Sequence, residues 1–176
     1  IGMIITGGIS PNEEGGVAVY DEDGNPLFSA SKLNTDREAE GHRLVTNAVH
    51  AADPDVKFVM QILHMGPLAH NPHLVAPSKV RSRISRLTPN ELDAEGIEKQ
   101  IADHANCARL AQQAGYDGVE IIGSAGYLLS TFLVEKTNQR TDQWGGCYEN
   151  RMRFPLEVVR RVRATVGDDF IVIFRI

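Results

Sequence analysis

Short apolar runs alternate along this chain with amphipathic stretches about three times their length, and that alternation restricts the fold more than any other feature. The apolar runs are Met3 to Thr6, Lys57 to Leu63, Gly118 to Ile122 and Phe170 to Ile176. Between them, Asp36 to Ala52 reads as a helix with Ala39, Leu44, Val45, Ala48 and Val49 toward a core. Ile97 to Ala114 repeats Ile97, Ile101, Ala105, Ala108 and Ala111 at three- and four-residue steps, and Gly115 ends it. Asn150 to Val166 carries Phe154, Val158, Val162 and Val166 four apart on one face. Upstream of the second helix, TPNE predicts a start with Thr88 as cap, Pro89 in the first turn and Glu91 closing a capping box. Gly16 to Phe28 has the look of a hairpin turning within DEDGNP.

Strands apolar on both faces, joined through helices, predict a parallel sheet covered by helices. Two α/β architectures share that pattern, an open doubly wound sheet and a (β/α)8 TIM barrel. An open nucleotide-binding sheet is expected to carry GxGxxG or GxxxxGKS/T after an early strand, and neither occurs here. The barrel is the prediction. A whole barrel takes eight units and about 250 residues; four strands in 176 residues amount to roughly half. The chain opens on Ile1 and closes on Ile176, both beside core strands. Cut sheet edges leave backbone groups unpaired, so the expectation is a piece of a longer chain, incomplete at both ends.

Composition narrows the function classes. A net charge of -5 argues against nucleic acid or an anionic membrane as partner, and the one basic cluster, Lys79, Arg81, Arg83 and Arg86, lacks interleaved aromatics and reads as a solvated loop. No apolar run approaches the ~20 residues that span a bilayer, and the start does not resemble a signal peptide, so a cytoplasmic location is expected. Cys107 and Cys147 lack metal-ligand spacing and read as stray thiols.

In a barrel the C-terminal ends of the strands converge on the active site. This chain places Thr6-Gly7-Gly8 at the first, Gln61 and His64 at the second, Gly123 to Tyr127 at the third and Arg175 on the fourth. Val119 to Ile122 reads as apolar bulk, and the small residues Gly123, Ser124, Ala125 and Gly126 admit close approach of backbone or ligand. Tyr127 beside them is either a packed aromatic with its hydroxyl satisfied or an acid aimed at something bound. Gln61 is either an amide satisfied by neighbouring backbone or one that pairs with the edge of a flat heterocycle. Arg175 either bridges to a barrel carboxylate or stabilises negative charge on a cofactor. Gly7-Gly8 either forms a turn or lets a planar ring approach the backbone. His64 and His73 read as loop residues outside the core site, and no metal site is expected.

The stretch GYDGVEIIGSAGYLLSTFLVEKTNQRTDQWGGCYENRMRF, with MQILHMG and NPHLVAPS upstream, resembles the signature of the old yellow enzyme family of NADH:flavin oxidoreductases, closest to its 2,4-dienoyl-CoA reductase branch. The resemblance runs from about Lys57 onward plus the opening TGGI. It implies an FMN-binding barrel, of which this chain supplies about strands 2 to 5. Gly8, Gln61 and Arg175 would contact the flavin, Tyr127 would protonate the substrate, and Lys136 would meet the substrate's carrier. An ordinary phenol is protonated at neutral pH and can donate as charge develops on carbon. The implied reaction passes a hydride from reduced flavin to the activated C=C bond of an enoyl or dienoyl thioester. The branch also joins its barrel to a 4Fe-4S segment and to FAD and NAD(P)H sites. Where much of the family has a His and an Asn on the substrate carbonyl, this chain has Ile122 and Ala125, a departure that leaves bile-acid or steroid-type enones open as substrates. Arg140 and Asp142 are expected to pair, and Asn150 to cap the following helix. Two other readings stand beside the reductase: an inactive barrel fragment that persists by self-association through exposed sheet edges, and, more weakly, a phosphate-handling aldolase or isomerase.

Overall fold

A computed structural model describes residues 1–23, 26–29 and 31–176. In chain order the elements are β1 (Met3–Ile9), β2 (Ala18–Tyr20), β3 (Pro26–Ser29), α1 (Asp36–Ala52), β4 (Lys57–Ile62), a 3-10 turn at Gly66–Leu68, β5 (Val75–Ala76), β6 (Asn90–Glu91), α2 (Ala94–Gln113), β7 (Gly118–Ile122), α3 (Leu128–Leu133), α4 (Tyr148–Val166) and β8 (Ile171–Arg175). The four apolar runs pair as one parallel sheet in the order β1-β4-β7-β8. Spatial order equals chain order, with a helix in each crossover. Every connection therefore steps one strand in the same direction, as in a barrel; a doubly wound sheet reverses direction partway.

Alternation along the strands divides the side chains between two faces. Phe58, Met60 and Ile62 of β4 and Val119 and Ile121 of β7 join a core with Ile97, Ile101, Ala108 and Leu110 of α2 and Phe154, Val158 and Val162 of α4. Phe132 of α3 stacks on Phe154 with centroids 4.1 Å apart. The intervening residues Gln61 and Glu120 point to the other face, where they bond each other and Glu120 meets Arg175. β2 and β3 pair antiparallel, as the hairpin reading requires, while the turn expected within DEDGNP falls on Gly24 and Asn25, outside the described residues.

Several local expectations give way to specific partners. TPNE does not start a helix: Asn90–Glu91 pairs with Val75–Ala76 as β6, and Asp93 caps α2 by accepting the Gly96 N–H at 2.7 Å. Asn150 lies inside α4, which Cys147 precedes as cap; its amide donates to the Asp142 carbonyl at 3.3 Å. On α1 the inward stripe is Ala39 and Thr46, buried, with His42 and Val49 half-buried, so Leu44, Val45 and Ala48 turn outward. A threonine takes that stripe because its hydroxyl bonds the Ala114 carbonyl at the end of α2, and His42 meets the Tyr116 hydroxyl at 2.9 Å. The first strand continues through Gly7-Gly8 to Ile9, so these glycines form no turn. Among the described residues no helix is long and apolar enough to cross a membrane, and Cys107 and Cys147 are free thiols.

Candidate active site

The strand ends are tied together by hydrogen bonds of identifiable origin. Gly8 of β1 stands opposite Gln61 of β4, Gln61 opposite Glu120 of β7, and Ile122 opposite Arg175 of β8. The Gln61 backbone N–H donates to the Thr6 hydroxyl at 3.0 Å, bridging an irregularity in the β1 register between Ile5 and Gly8. A side chain at Gly8 would collide with Leu63, 2.7 Å from the ideal Cβ position, so glycine is needed there for packing irrespective of any ligand.

Glu120 corrects the reading of Val119 to Ile122 as apolar bulk. Its side chain is 7% exposed, it accepts from Gln61 Nε2 at 2.7 Å, and it lies 3.7 Å from a terminal nitrogen of Arg175. Arg175 is not buried; its side chain is 58% exposed. The carboxylate bridge anticipated as one reading of Arg175 is thus present, and it is loose enough to leave most guanidinium donors facing outward. Gln61 keeps its amide oxygen without a protein partner among the described residues.

Tyr127 follows β7 through a turn that only small residues can make. Ala125 and Gly126 both have positive φ, 62° and 78°, a left-handed backbone that costs a non-glycine residue about 1–2 kcal/mol. Gly123 is small for another reason, since a Cβ there would lie 2.3 Å from the Phe174 ring. The turn leaves Tyr127 preceding α3, and Ser130 locks it by donating to the Ser124 and Tyr127 carbonyls at 3.1 and 3.0 Å. The Tyr127 hydroxyl has no hydrogen-bond partner among the described residues. Tyr127 instead lines a cavity of about 930 Å³, walled by Met65, Leu68, Pro72, Ile84 and Leu87 with His70 and Arg86. Gly8, Gln61 and Arg175 do not line this cavity: it lies among the loops that follow β1 and β4, while those three stand over the strand ends. The sequence-predicted residues therefore share one end of the sheet, in two groups.

His64, read as a loop residue, is buried and structural. Its Nδ1 accepts the Gly66 N–H at 3.0 Å, its carbonyl accepts the Leu128 N–H at 3.0 Å, and its ring stacks on His104 with centroids 6.0 Å apart. Burial, and then the neighbouring His104, push His64 well below the usual histidine value of 6.5, and burial lowers His104 too. Depressed histidines take up protons more readily in the unfolded chain, so their contribution to stability is complete above pH 6.5 and is lost as pH falls below it. Thermal unfolding between about pH 8 and about pH 5 checks this: the midpoint should hold above the usual histidine value and fall steadily below it. Asp117 and Asp142, both held below 3.8, contribute no slope in that window.

The loop after α3 is braced from within. Arg140, with its side chain 9% exposed, pairs with Asp142 at 2.6 Å and donates to the Pro77 and Leu92 carbonyls, as its structural reading required. Asn138 bonds the Phe132 and Trp144 carbonyls at 2.8 Å each. Lys136 sits exposed on the turn between α3 and this braced loop and makes no ion pair among the described residues. Among the described residues no cluster of three or more His, Cys, Asp or Glu could hold a metal. Sequence reasoning missed Glu120 and the cavity walls at residues 65–87. A lone acid inside VEII was the available signal for the first; the second depends on how a long loop folds back.

The groups at the strand ends are a hydrogen-bond acceptor on Gln61 and charged donors on Arg175. The amide oxygen of Gln61, without a protein partner among the described residues, is able to accept from a ligand N–H, and Arg175 carries charged donors able to meet ligand oxygens or nitrogens. A metal reductase from Desulforamulus reducens is 41% identical over 179 residues, which cover 99% of this chain and 25% of that protein. Morphinone reductase superposes with a TM-score of 0.85 at 30% identity, over 98% of this chain and 49% of its own. A 2-naphthoyl-CoA reductase, solved with 2-naphthoyl-CoA, gives 0.84 at 30% identity over 98% of this chain and 27% of its own. The chain thus spans a quarter to a half of the length of these relatives, whose barrels account for its sheet as a part of one. With the sequence model of the NADH:flavin oxidoreductase / NADH oxidase family matching residues 1–176 throughout, the chain belongs to that family of flavin oxidoreductases.

Proposed function

We propose that residues 1–176 are the N-terminal part of the FMN-binding barrel of an ene reductase acting on an enoyl or dienoyl thioester of the 2,4-dienoyl-CoA type. The observation that carries this reading is the shared sheet end, where Gln61 and Arg175 offer an acceptor and a cation, and Tyr127, its hydroxyl without a partner among the described residues, lines a largely apolar cavity. Gly8, Gln61 and Arg175 hold the cofactor, Gly8 by keeping backbone bare beside it. FMN, when bound, supplies the hydride chemistry. Tyr127 supplies the proton at the other end of the conjugated system from its hydroxyl oxygen, within a cavity whose walls exclude water from the acyl chain. Lys136 meets the carrier at the mouth of the site. The thioester reading draws on the likeness to a 2-naphthoyl-CoA reductase; the likeness to morphinone reductase keeps enones as the second reading. The 4Fe-4S, FAD and NAD(P)H sites of the dienoyl-CoA branch belong to this proposal for the whole protein.

Lys136→Glu tests the thioester reading. In the flavin-loaded protein it should weaken a CoA thioester by about tenfold or more while leaving FMN affinity near the parental value, because in this reading the reversed charge stands at the mouth of the site beside the carrier's phosphates and not beside the cofactor. Equal losses for both ligands would remove the carrier-contact role.

A further inference from the structure

The flavin reading leaves one buried ionisable group without a task. Glu120 stands in the middle of β7, its neighbours Val119 and Ile121 turned into the helix-covered core and its own carboxylate turned to the opposite face. Burying a carboxylate is costly unless strong partners compensate. Its partners here are unequal: a neutral amide at 2.7 Å and a half-exposed guanidinium at 3.7 Å, both on the same oxygen, Oε1. That is a poor design for an ion pair that only stabilises the fold. It is a good one for holding two side chains in a set orientation.

We propose that Glu120 is a positioning residue that orients Gln61 and Arg175 toward the bound cofactor. This rests on the flavin reading of the site. A carboxylate only accepts hydrogen bonds, so the Gln61 nitrogen has to face it and the Gln61 oxygen has to face outward. Without that constraint the amide can rotate by half a turn and present a donor where the ring edge also presents one. The register places Glu120 one inward-facing residue deeper on β7 than Ile122, which stands opposite Arg175. The carboxylate thus biases the half-exposed guanidinium toward the β7 side of the sheet end, 3.7 Å away. Its negative charge, standing behind Arg175, also tempers the positive field that the site presents to the cofactor.

Glu120→Gln tests both effects in the flavin-loaded protein, since the change keeps size and shape. An amide at this position pairs with either end of Gln61, so the orientation is no longer enforced, and the charge behind Arg175 is gone. FMN affinity, followed by flavin fluorescence, should fall about tenfold. The reduction potential of the bound flavin should become more positive, because a more electropositive site favours the anionic reduced form. A carboxylate acting only in folding would move neither. Coupling supplies a second readout: in a Gln61→Ala background the affinity loss from Glu120→Gln should shrink to the part that acts through Arg175, because the amide being oriented is absent. A parent protein that binds no FMN defeats the flavin reading itself. A parent that binds FMN, with a Glu120→Gln variant of unchanged affinity and unchanged potential, overturns the positioning role alone.

Discussion

Tyr127→Phe should slow reoxidation of the reduced flavin by the unsaturated substrate about 100-fold or more, the scale for losing a positioned general acid. Flavin content and folding should survive, because the ring keeps its place after α3's entry turn and the deleted hydroxyl has no protein partner among the described residues. Reduction by NAD(P)H needs no proton from this residue and should keep its rate. Stopped-flow absorbance separates the two half-reactions. Equal slowing of both would indicate a displaced cofactor; parental reoxidation would return Tyr127 to the role of a wall residue of the cavity.

Arg175→Ala should act on the other half of the site. Losing charge-assisted hydrogen bonds of about 1.5–3 kcal/mol corresponds to a fall in FMN affinity of roughly 10- to 150-fold. The fold should notice little. A half-exposed arginine 3.7 Å from its carboxylate forms the kind of ion pair that contributes about 1 kcal/mol or less. Equilibrium titration with FMN, alongside a thermal melt of the flavin-free protein, distinguishes a cofactor cation from a structural one. A large loss of stability with unchanged affinity would assign Arg175 to the fold.

The sheet was legible in the sequence because its strands are apolar on both faces and separated by periodic helices, a pattern that demands a covered parallel sheet whatever the loops do. Helix faces were less legible where polar groups take buried positions. Thr46 is buried with its hydroxyl bonded to the Ala114 and Arg43 carbonyls, and that rotates α1 away from the face that Leu44 and Val45 suggested. Helix starts depended on competition: Thr88 carries a good capping sequence, but pairing of Asn90 and Glu91 with β5 leaves the cap to Asp93. At the site, Gln61, Tyr127 and Arg175 stood out as polar groups at strand ends. Glu120 was visible as a lone acid between valine and isoleucine, but its role depends on two partners on neighbouring strands, Gln61 and Arg175, that the sequence does not pair. The cavity beside Tyr127 was equally hidden, since residues 65–87 form it through loop packing rather than through any periodic pattern.

The central claim, a flavin site that reduces activated alkenes, is tested most directly by anaerobic titration of the flavin-loaded protein. Visible flavin absorbance should be bleached by NAD(P)H and then restored stoichiometrically by an α,β-unsaturated acyl thioester or enone, with one saturated product formed per flavin reoxidised. A protein that takes up no FMN, or one whose bleached flavin is restored by oxygen and by none of these alkenes, would contradict the account.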